Sequence, residues 1–412
     1  MKQKSGINME SVKINNRIAI LNLIRKNGSM SRKDIAESIK LTPAAVTILT
    51  NEMIAENILR EMGELEEDAR AGRKKILIDI NCDYKYVIGI NIDTDYINIG
   101  ISDIKLNIVS SKRFETESDL SPEDLIKKIA SECISMLWKA GIVKDNIIGI
   151  GVGIVGLVDK DTGVSKHAFG LWDREVNVKK LLEGELGISV TVDNNVRTLA
   201  VGEIDYGIAM DSSNMIFIKY GPGIGSAIVI DKNIHYGYSD RAGEIGHFLV
   251  DEEGDKCTCG KRGCLETIAA PKAILRKIKK EFSSENTPIL YELCEGNMEK
   301  IDEKTIDQSI SLGEKIVVDI ANNAVKYFAI AINNAIEFID PQKVVIYGIF
   351  FEDNCFYKMF IQRFNQITDR KFSKDIIGIS HIKNSSNYIG GVALAIRESF
   401  FNTGGSLIKN IN

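Results

Sequence analysis

The feature that most restricts how this chain can fold is a cluster of soft metal ligands in one short stretch. His247, Cys257, Cys259 and Cys264 lie in Gly-His-Phe-Leu-Val-Asp-Glu-Glu-Gly-Asp-Lys-Cys-Thr-Cys-Gly-Lys-Arg-Gly-Cys-Leu-Glu, residues 246–266. Three thiolates and one imidazole complete a tetrahedral shell, the closed arrangement of a structural Zn2+ site, and leave no open position for a reacting water. Gly254, Gly260 and Gly263 allow so short a loop to fold back until its ligands converge. The other four of the seven cysteines, Cys82, Cys133, Cys294 and Cys355, are scattered. An odd count with one crowded group points to metal in a reducing compartment and away from a disulfide framework. The competing reading is a set of reduced, unligated thiols.

At 412 residues the chain exceeds what one hydrophobic core organises, so two or three domains are expected. With 44% hydrophobic and 26% charged residues it reads as a soluble globular protein. No uncharged apolar run of about 18 residues and no apolar signal segment is seen, so a cytoplasmic location without membrane contact is expected. The net charge of −5 conceals an asymmetry: residues 1–80 hold 14 basic and 11 acidic side chains, a small positive excess ahead of an acidic body. That distribution permits nucleic-acid binding.

The basic head carries its own pattern. From Asn15 the apolar positions Ile18, Leu21, Leu23 and Ile24 have helical spacing and stop at Asn27-Gly28. Ser31 caps a second helix through Ile35, Ala36 and Ile39; Thr42 as N-cap with Pro43 at the first helical position opens a third, through Val46, Leu49, Met53 and Ile54. Two short helices joined by a tight turn behind a leading helix make a helix-turn-helix. The acidic stretch Met62 to Asp68 and the basic one at Arg70, Arg73, Lys74 and Lys75, followed by a strand-like run Ile76 to Ile80, read as a wing hairpin and linker. The third helix is expected to present Thr42, Ala44, Ala45, Thr47 and Asn51 to a DNA major groove, with Arg70, Arg73, Lys74 and Lys75 on phosphates or in a neighbouring minor groove. One such head buries too little to hold an operator tightly, so a homodimer on a pseudo-palindrome is expected. The alternative is a helical cap of an enzyme with solvated charges.

The body begins near Tyr86. Val87–Ile92, Tyr96–Ile101 and Ile104–Ser110 read as an antiparallel meander; a helix follows from Ser121-Pro122-Glu123 to Gly141, then a buried strand Ile147–Ile154. A second round opens at Met215 with a strand, the turn Gly221-Pro222-Gly223-Ile224-Gly225 and another strand. Long helical patterns from Leu265 to Phe282 and Ile310 to Ile339 precede a strand at Val344–Tyr347. Strands then helices, used twice, suggest two α/β lobes with a cleft between them. The division expected is residues 1–80 for the DNA-binding head and linker and 81–412 for the body, with the zinc loop at 247–264. His167-Ala168-Phe169-Gly170-Leu171-Trp172 offers either an aromatic platform for a ligand or core packing.

Ala242-Gly243-Glu244-Ile245-Gly246-His247, with the cysteine loop and Cys264-Leu265-Glu266 behind it, resembles the signature of the ROK family of bacterial repressors, uncharacterised reading frames and sugar kinases. The resemblance extends through Gly149 to Gly156, Val192 to Glu203 and the turn at Gly221 to Gly390-Gly391-Val392-Ala393-Leu394-Ala395. It implies a winged helix-turn-helix followed by a two-lobed α/β body of actin-like, ribonuclease-H-like sugar-kinase architecture, binding a monosaccharide. Carried over residue by residue, it implies that Asn194, Asn195, Glu244, His247 and Glu266 contact the sugar. Carboxylates and amides do offer paired donors and acceptors to vicinal hydroxyls. His247 would then bind metal with one ring nitrogen and face the sugar with the other.

Two departures from the kinase pattern bear on activity. Where the kinases place a catalytic aspartate, this chain reads Asp193-Asn194-Asn195-Val196-Arg197, and the amide of Asn195 has no basicity to accept a hydroxyl proton. Where they resemble Asp-x-Gly-x-Thr beside a nucleotide, this chain reads Asn91-Ile92-Asp93-Thr94-Asp95, which sets two carboxylates against a polyphosphate. Pro222 also removes a backbone donor from the second glycine turn. The expected function is a sugar-responsive repressor that binds operator DNA and is not an enzyme. A sugar kinase with an added head and a regulator that has lost its sugar are the alternatives. Xylose, glucose and amino sugars all stay open as effector.

Overall fold

Every helix of the head starts and stops where a cap is available. In the computed structural model, which describes residues 8–64, 76–117, 119–348, 350, 354–368 and 376–406, α1 (Met9–Asn27) ends on Gly28 at φ 76°. α2 (Arg32–Ile39) starts where the Ser31 hydroxyl accepts from the Asp34 amide, and α3 (Pro43–Ala55) starts where Thr42 accepts from Ala45. β1 (Met30–Ser31), β2 (Leu59–Glu64) and β3 (Ile76–Ile80) form one antiparallel sheet in the order β1-β3-β2. The wing thus begins earlier than Met62, and its third strand is only the two residues before α2. Ile20, Leu21, Ile24, Ile35, Val46, Leu49, Met53 and Ile78 close a core beneath it. Arg70, Arg73, Lys74 and Lys75 lie outside the described residues.

The chain divides into two compact units, residues 1–198 with 385–412, and residues 199–384. In the first, β4 (Tyr86–Ile92), β5 (Tyr96–Asp103) and β6 (Ile108–Glu115) form the expected antiparallel meander. The third strand is displaced from 104–110, because Asp103 Oδ1 accepts from the Lys105 and Asn107 amides and Leu106 takes φ 68°, making residues 104–107 a turn. α4 (Pro122–Ala140), β7 (Ile147–Ile154), the small sheet of β8 (Leu157–Asp159), β9 (Val164–His167) and β10 (Val176–Asn177), α5 (Val178–Leu186) and β11 (Val190–Asn194) follow. The main sheet runs β11-β7-β4-β5-β6, with β4, β7 and β11 parallel. Ile88, Ile90, Ile92, Ile97 and Ile99 pack on Leu125, Ile126 and Ile129 of α4 on one face. The boundary between the units falls inside α6 (Asn195–Tyr206).

The second unit repeats that plan. β12 (Met215–Tyr220), β13 (Ile224–Ile230) and β14 (Asn233–His235) make its meander, and β15 (Lys343–Tyr347) and β16 (Ile377–Ile379) add in parallel, giving β14-β13-β12-β15-β16. The helical stretch 265–282 is two helices, α7 (Leu265–Ala269) and α8 (Pro271–Glu281), because Pro271 cannot donate and Ala270 is extended. α9 (Pro288–Leu293) intervenes. The stretch 310–339 likewise breaks at Gly313, φ 81°, between α10 (Glu303–Ser311) and α11 (Lys315–Ile339). α12 (Cys355–Ile367) buries Phe356, Phe360 and Phe364 against α11.

α13 (Tyr388–Ile396) returns to the first unit and lies on the open face of its sheet. A Cβ at Gly151 would sit 2.0 Å from the Gly391 carbonyl oxygen, so only glycine permits this approach. The chain then reaches the head: buried Arg17 of α1 donates Nε to the Gly404 carbonyl at 2.8 Å and both terminal nitrogens to Glu56. No described helix is long and apolar enough to cross a membrane.

Candidate functional site

The metal loop is held by backbone before any ion is considered. Cys257 N donates to Lys261 O at 2.8 Å, Val250 N to Gly263 O at 2.9 Å and Leu265 N to Phe248 O at 2.8 Å. Gly263 is obligatory: at φ 63°, a Cβ there would lie 1.4 Å from Asp251 O. The ligand atoms of His247, Cys257, Cys259 and Cys264 all fall within 4.8 Å of one another. Cys257 Sγ is 3.6 Å from His247 Nδ1, and Cys259 Sγ is 3.6 Å from Cys264 Sγ. Tetrahedral zinc with bonds of roughly 2.3 Å to sulfur puts ligand atoms roughly 3.8 Å apart, so the donor set fits that ion. Burial, then the neighbouring Cys259 and Cys257, push the Cys264 thiol up to about 12. Three thiols this close cannot all ionise without a cation.

His247 turns its other nitrogen outward. Nε2 lies 3.9 Å from Glu244 Oε2, near but beyond hydrogen-bond length, and the Lys261 ammonium bonds the His247 carbonyl at 2.8 Å. Glu266, on the first turn of α7, sends Oε2 to the Ile224 amide at 3.1 Å; a Cβ on Gly223 would sit 2.4 Å from that oxygen. Glu244, His247 and Glu266 therefore gather around the tip of the β12–β13 hairpin. Gly246 packs under it, where a Cβ would meet Ile224 O at 2.1 Å.

The two asparagines belong to the first unit. Asn194 caps α6: Oδ1 accepts from Val196 N at 2.8 Å, and Nδ2 donates to Gly156 O at 2.8 Å. Asn195 is buried and donates Nδ2 to Asp93 Oδ2 at 3.2 Å, while Asp93 Oδ1 accepts from the Thr94 amide at 3.1 Å. Phe169 is half exposed with its ring edge against His167, whereas Trp172 is core, 8% exposed with Nε1 bonded to Ser165. The aromatic-platform reading of Trp172 fails for that reason.

On α3, Thr42, Ala44, Thr47 and Asn51 are exposed and Ala45 is half-buried. Thr47 Oγ1 donates back to Pro43 O at 2.8 Å. Sequence reasoning missed two residues on this surface. Ile48 stands 61% exposed among the small and polar positions, and Arg32, from the start of α2, bonds Thr50, Asn51 and Glu61. An exposed isoleucine on a helix whose opposite face is already apolar was a usable signal for the first. The second depends on a strand pairing that no local pattern gives.

The ROK family model matches residues 87–398. The chain belongs to the ROK family. A winged helix-turn-helix DNA-binding model matches residues 15–60, which replaces the enzyme-cap alternative for the head. This ROK protein is 26% identical over 390 residues to the xylose repressor of Caldicellulosiruptor bescii, covering 93% of this chain and 96% of that one. It is 28% identical over 352 residues to the Escherichia coli DNA-binding transcriptional dual regulator NagC, covering 83% and 82%. A solved ROK family transcriptional regulator, a homologue of the E. coli MLC protein, superposes with a TM-score of 0.78 at 22% identity over 95% of this chain and 97% of its own. That likeness establishes the fold: a winged helix-turn-helix joined to a two-lobed, sugar-kinase-like α/β body.

Proposed function

We propose that this protein is a sugar-responsive transcriptional repressor of carbohydrate-utilisation genes, acting in the cytoplasm as a homodimer on a pseudo-palindromic operator. The observation that carries the reading is the winged helix-turn-helix with an outward-facing third helix, joined in one chain to a ROK body. Repressor relatives matched over nearly the whole chain support it. Thr42, Ala44, Ala45, Thr47 and Asn51 face bases, and Arg70, Arg73 and Lys74 supply phosphate contacts that add affinity without base preference. In the body, Asn194, Asn195, Glu244, His247 and Glu266 contact the hydroxyls of a monosaccharide.

His247, Cys257, Cys259 and Cys264 would hold zinc, whose contribution is to fix the tautomer and direction of His247. The protein's own side chains do the rest: carboxylates at Glu244 and Glu266 accept from sugar hydroxyls, and Asn195 donates or accepts without taking a proton. The same amide, bonded to Asp93, is why no phosphoryl transfer is assigned. The test uses the full chain against a randomised duplex pool, with and without a panel of monosaccharides. Sequence-selective binding that one sugar alters, with no sugar-dependent ATP turnover, is expected. Robust ATP turnover, or a panel in which no sugar changes either DNA binding or melting temperature, would overturn the reading.

A further inference from the structure

We propose that Arg32 sets the hydrogen-bonding polarity of Asn51, so that α3 reads a base acceptor through the Asn51 N–H groups and a thymine methyl through Ile48. The inference rests on operator binding by α3 as proposed above and specifies its base preference.

At roughly 100° per residue, Ala44, Thr47, Ile48 and Asn51 fall within about one third of the helix circumference, opposite buried Val46, Leu49 and Met53. Ile48 is the one large apolar side chain on that arc, with Ala44 and Thr47 beside it too small to hold a base edge away. An exposed branched aliphatic group there matches the thymine 5-methyl, the apolar feature a major groove offers.

Asn51 is constrained from behind. Arg32 donates from Nη2 to Asn51 Oδ1 at 2.8 Å and to Glu61 Oε1 of β2 at 2.9 Å, while Nε donates to Thr50 Oγ1 at 3.1 Å. Thr50 is fully buried, and its hydroxyl donates onward to Val46 O at 2.8 Å, so this anchor is rigid. A guanidinium has no acceptor, which means the oxygen of the Asn51 amide is the atom that faces it. The amide nitrogen is then left for a partner outside the protein. Paired recognition of adenine needs that oxygen to accept from N6 and the nitrogen to donate to N7. Arg32 takes one of the two lone pairs of that oxygen and holds it turned toward the guanidinium, so the N–H groups are what Asn51 turns outward. Guanine N7 and O6 offer those donors two acceptors and thymine O4 offers one; adenine N7 also accepts, but the N6 amino group beside it is a donor that opposes a second N–H. Arg32 is thus a positioning residue that couples the start of α2, the recognition helix and the wing strand to one base choice.

The test is selection from a randomised duplex pool by the full-length protein and four variants. Asn51→Ala relaxes one base position and so identifies the base that Asn51 reads. The wild type should enrich guanine or thymine there. Arg32→Met, which keeps the aliphatic stem, should shift that position to adenine. Asn51→Asp keeps an acceptor for Arg32 but has no donor, and should lose the guanine or thymine preference at an unchanged melting temperature. Ile48→Ala should lose a thymine preference nearby; replacing that thymine by uracil should weaken wild-type binding about tenfold and leave Ile48→Ala unaffected. Adenine chosen by the wild type at the Asn51 position, the same base chosen by Arg32→Met, or equal sensitivity to uracil in wild type and Ile48→Ala would each overturn the proposal. Sequence-selective binding in which Asn51→Ala changes no position would sink this inference alone. Absence of any sequence-selective binding by the wild type would sink the operator-binding reading and this proposal with it.

Discussion

The tips of the two opening hairpins make the most instructive comparison in the molecule. Each joins the first two strands of a five-stranded sheet of the same order, one through Asp93-Thr94-Asp95 and the other through Gly221-Pro222-Gly223. By sequence they look opposed, one filled with carboxylates and the other open with glycine. Their hydrogen bonds make them alike. At the first, the Asp93 carboxylate takes the Thr94 amide and the Asn195 side chain. At the second, the Glu266 carboxylate takes the Ile224 amide. In each unit an internal carboxylate uses donors that an anion from solution would otherwise need. The difference is where that carboxylate comes from: within the turn in one unit, from the helix that follows the metal loop in the other.

That origin predicts unequal sensitivity to the metal. Cys259→Ser should give the largest effect, with loss of bound zinc, about 4 kcal/mol or more of lost stability and a weakened sugar response, because Cys264 leads directly into Glu266. Metal analysis, thermal denaturation and a sugar-induced melting shift on one preparation would check it. A zinc-free, folded protein with full sugar response would separate the second tip from the metal and break the comparison.

Asp93→Ala should cost about 1–3 kcal/mol, since the Thr94 and Asn195 donors lose their acceptor, and should leave zinc content unchanged. Denaturant titration beside metal analysis distinguishes that outcome from a general unfolding that also releases metal. Glu266→Gln keeps an acceptor for the Ile224 amide and removes only charge, so stability should change by less than about 1 kcal/mol while sugar affinity falls roughly tenfold. Calorimetry on the responsive sugar measures the split; a large stability loss with unchanged affinity would make Glu266 a purely structural residue.

Asn195→Asp should produce the smallest functional change: no sugar-dependent ATP turnover. The new carboxylate would stand where Nδ2 now lies 3.2 Å from Asp93 Oδ2. Two carboxylates that close raise the pKa of the pair, so any stability penalty should be present at pH 8 and relieved as the pH falls to 5. Coupled-assay rates together with melting at the two pH values provide the check. Appreciable turnover would show that the first tip can still admit a nucleotide phosphate.

What was legible along the chain was local. Asn27-Gly28, Ser31 and Thr42-Pro43 mark the end of α1 and the starts of α2 and α3 within a residue or so, because a cap bonds to an amide a few positions away, whereas α1 opens at Met9 under the Asn8 cap, six residues ahead of the apolar pattern that begins at Asn15. The four metal ligands lie within 18 residues, and their chemistry alone names the ion they suit. The parallel and antiparallel order of both sheets followed from strand and helix alternation only as a class; the register came from packing.

What only the tertiary structure decided involves partners far apart in sequence. Met30–Ser31 is a strand because β3, nearly fifty residues on, is beside it. Trp172 could be read as ligand platform or core until the hydroxyl of Ser165 and the surrounding apolar side chains settled it. Asn51 is an asparagine on an exposed helix face by sequence, yet which of its two amide atoms faces outward is set by Arg32, and Arg32 is aimed by Glu61 on a different element. Residue type determines which hydrogen bonds a side chain can make, and chain folding determines which of them are already used.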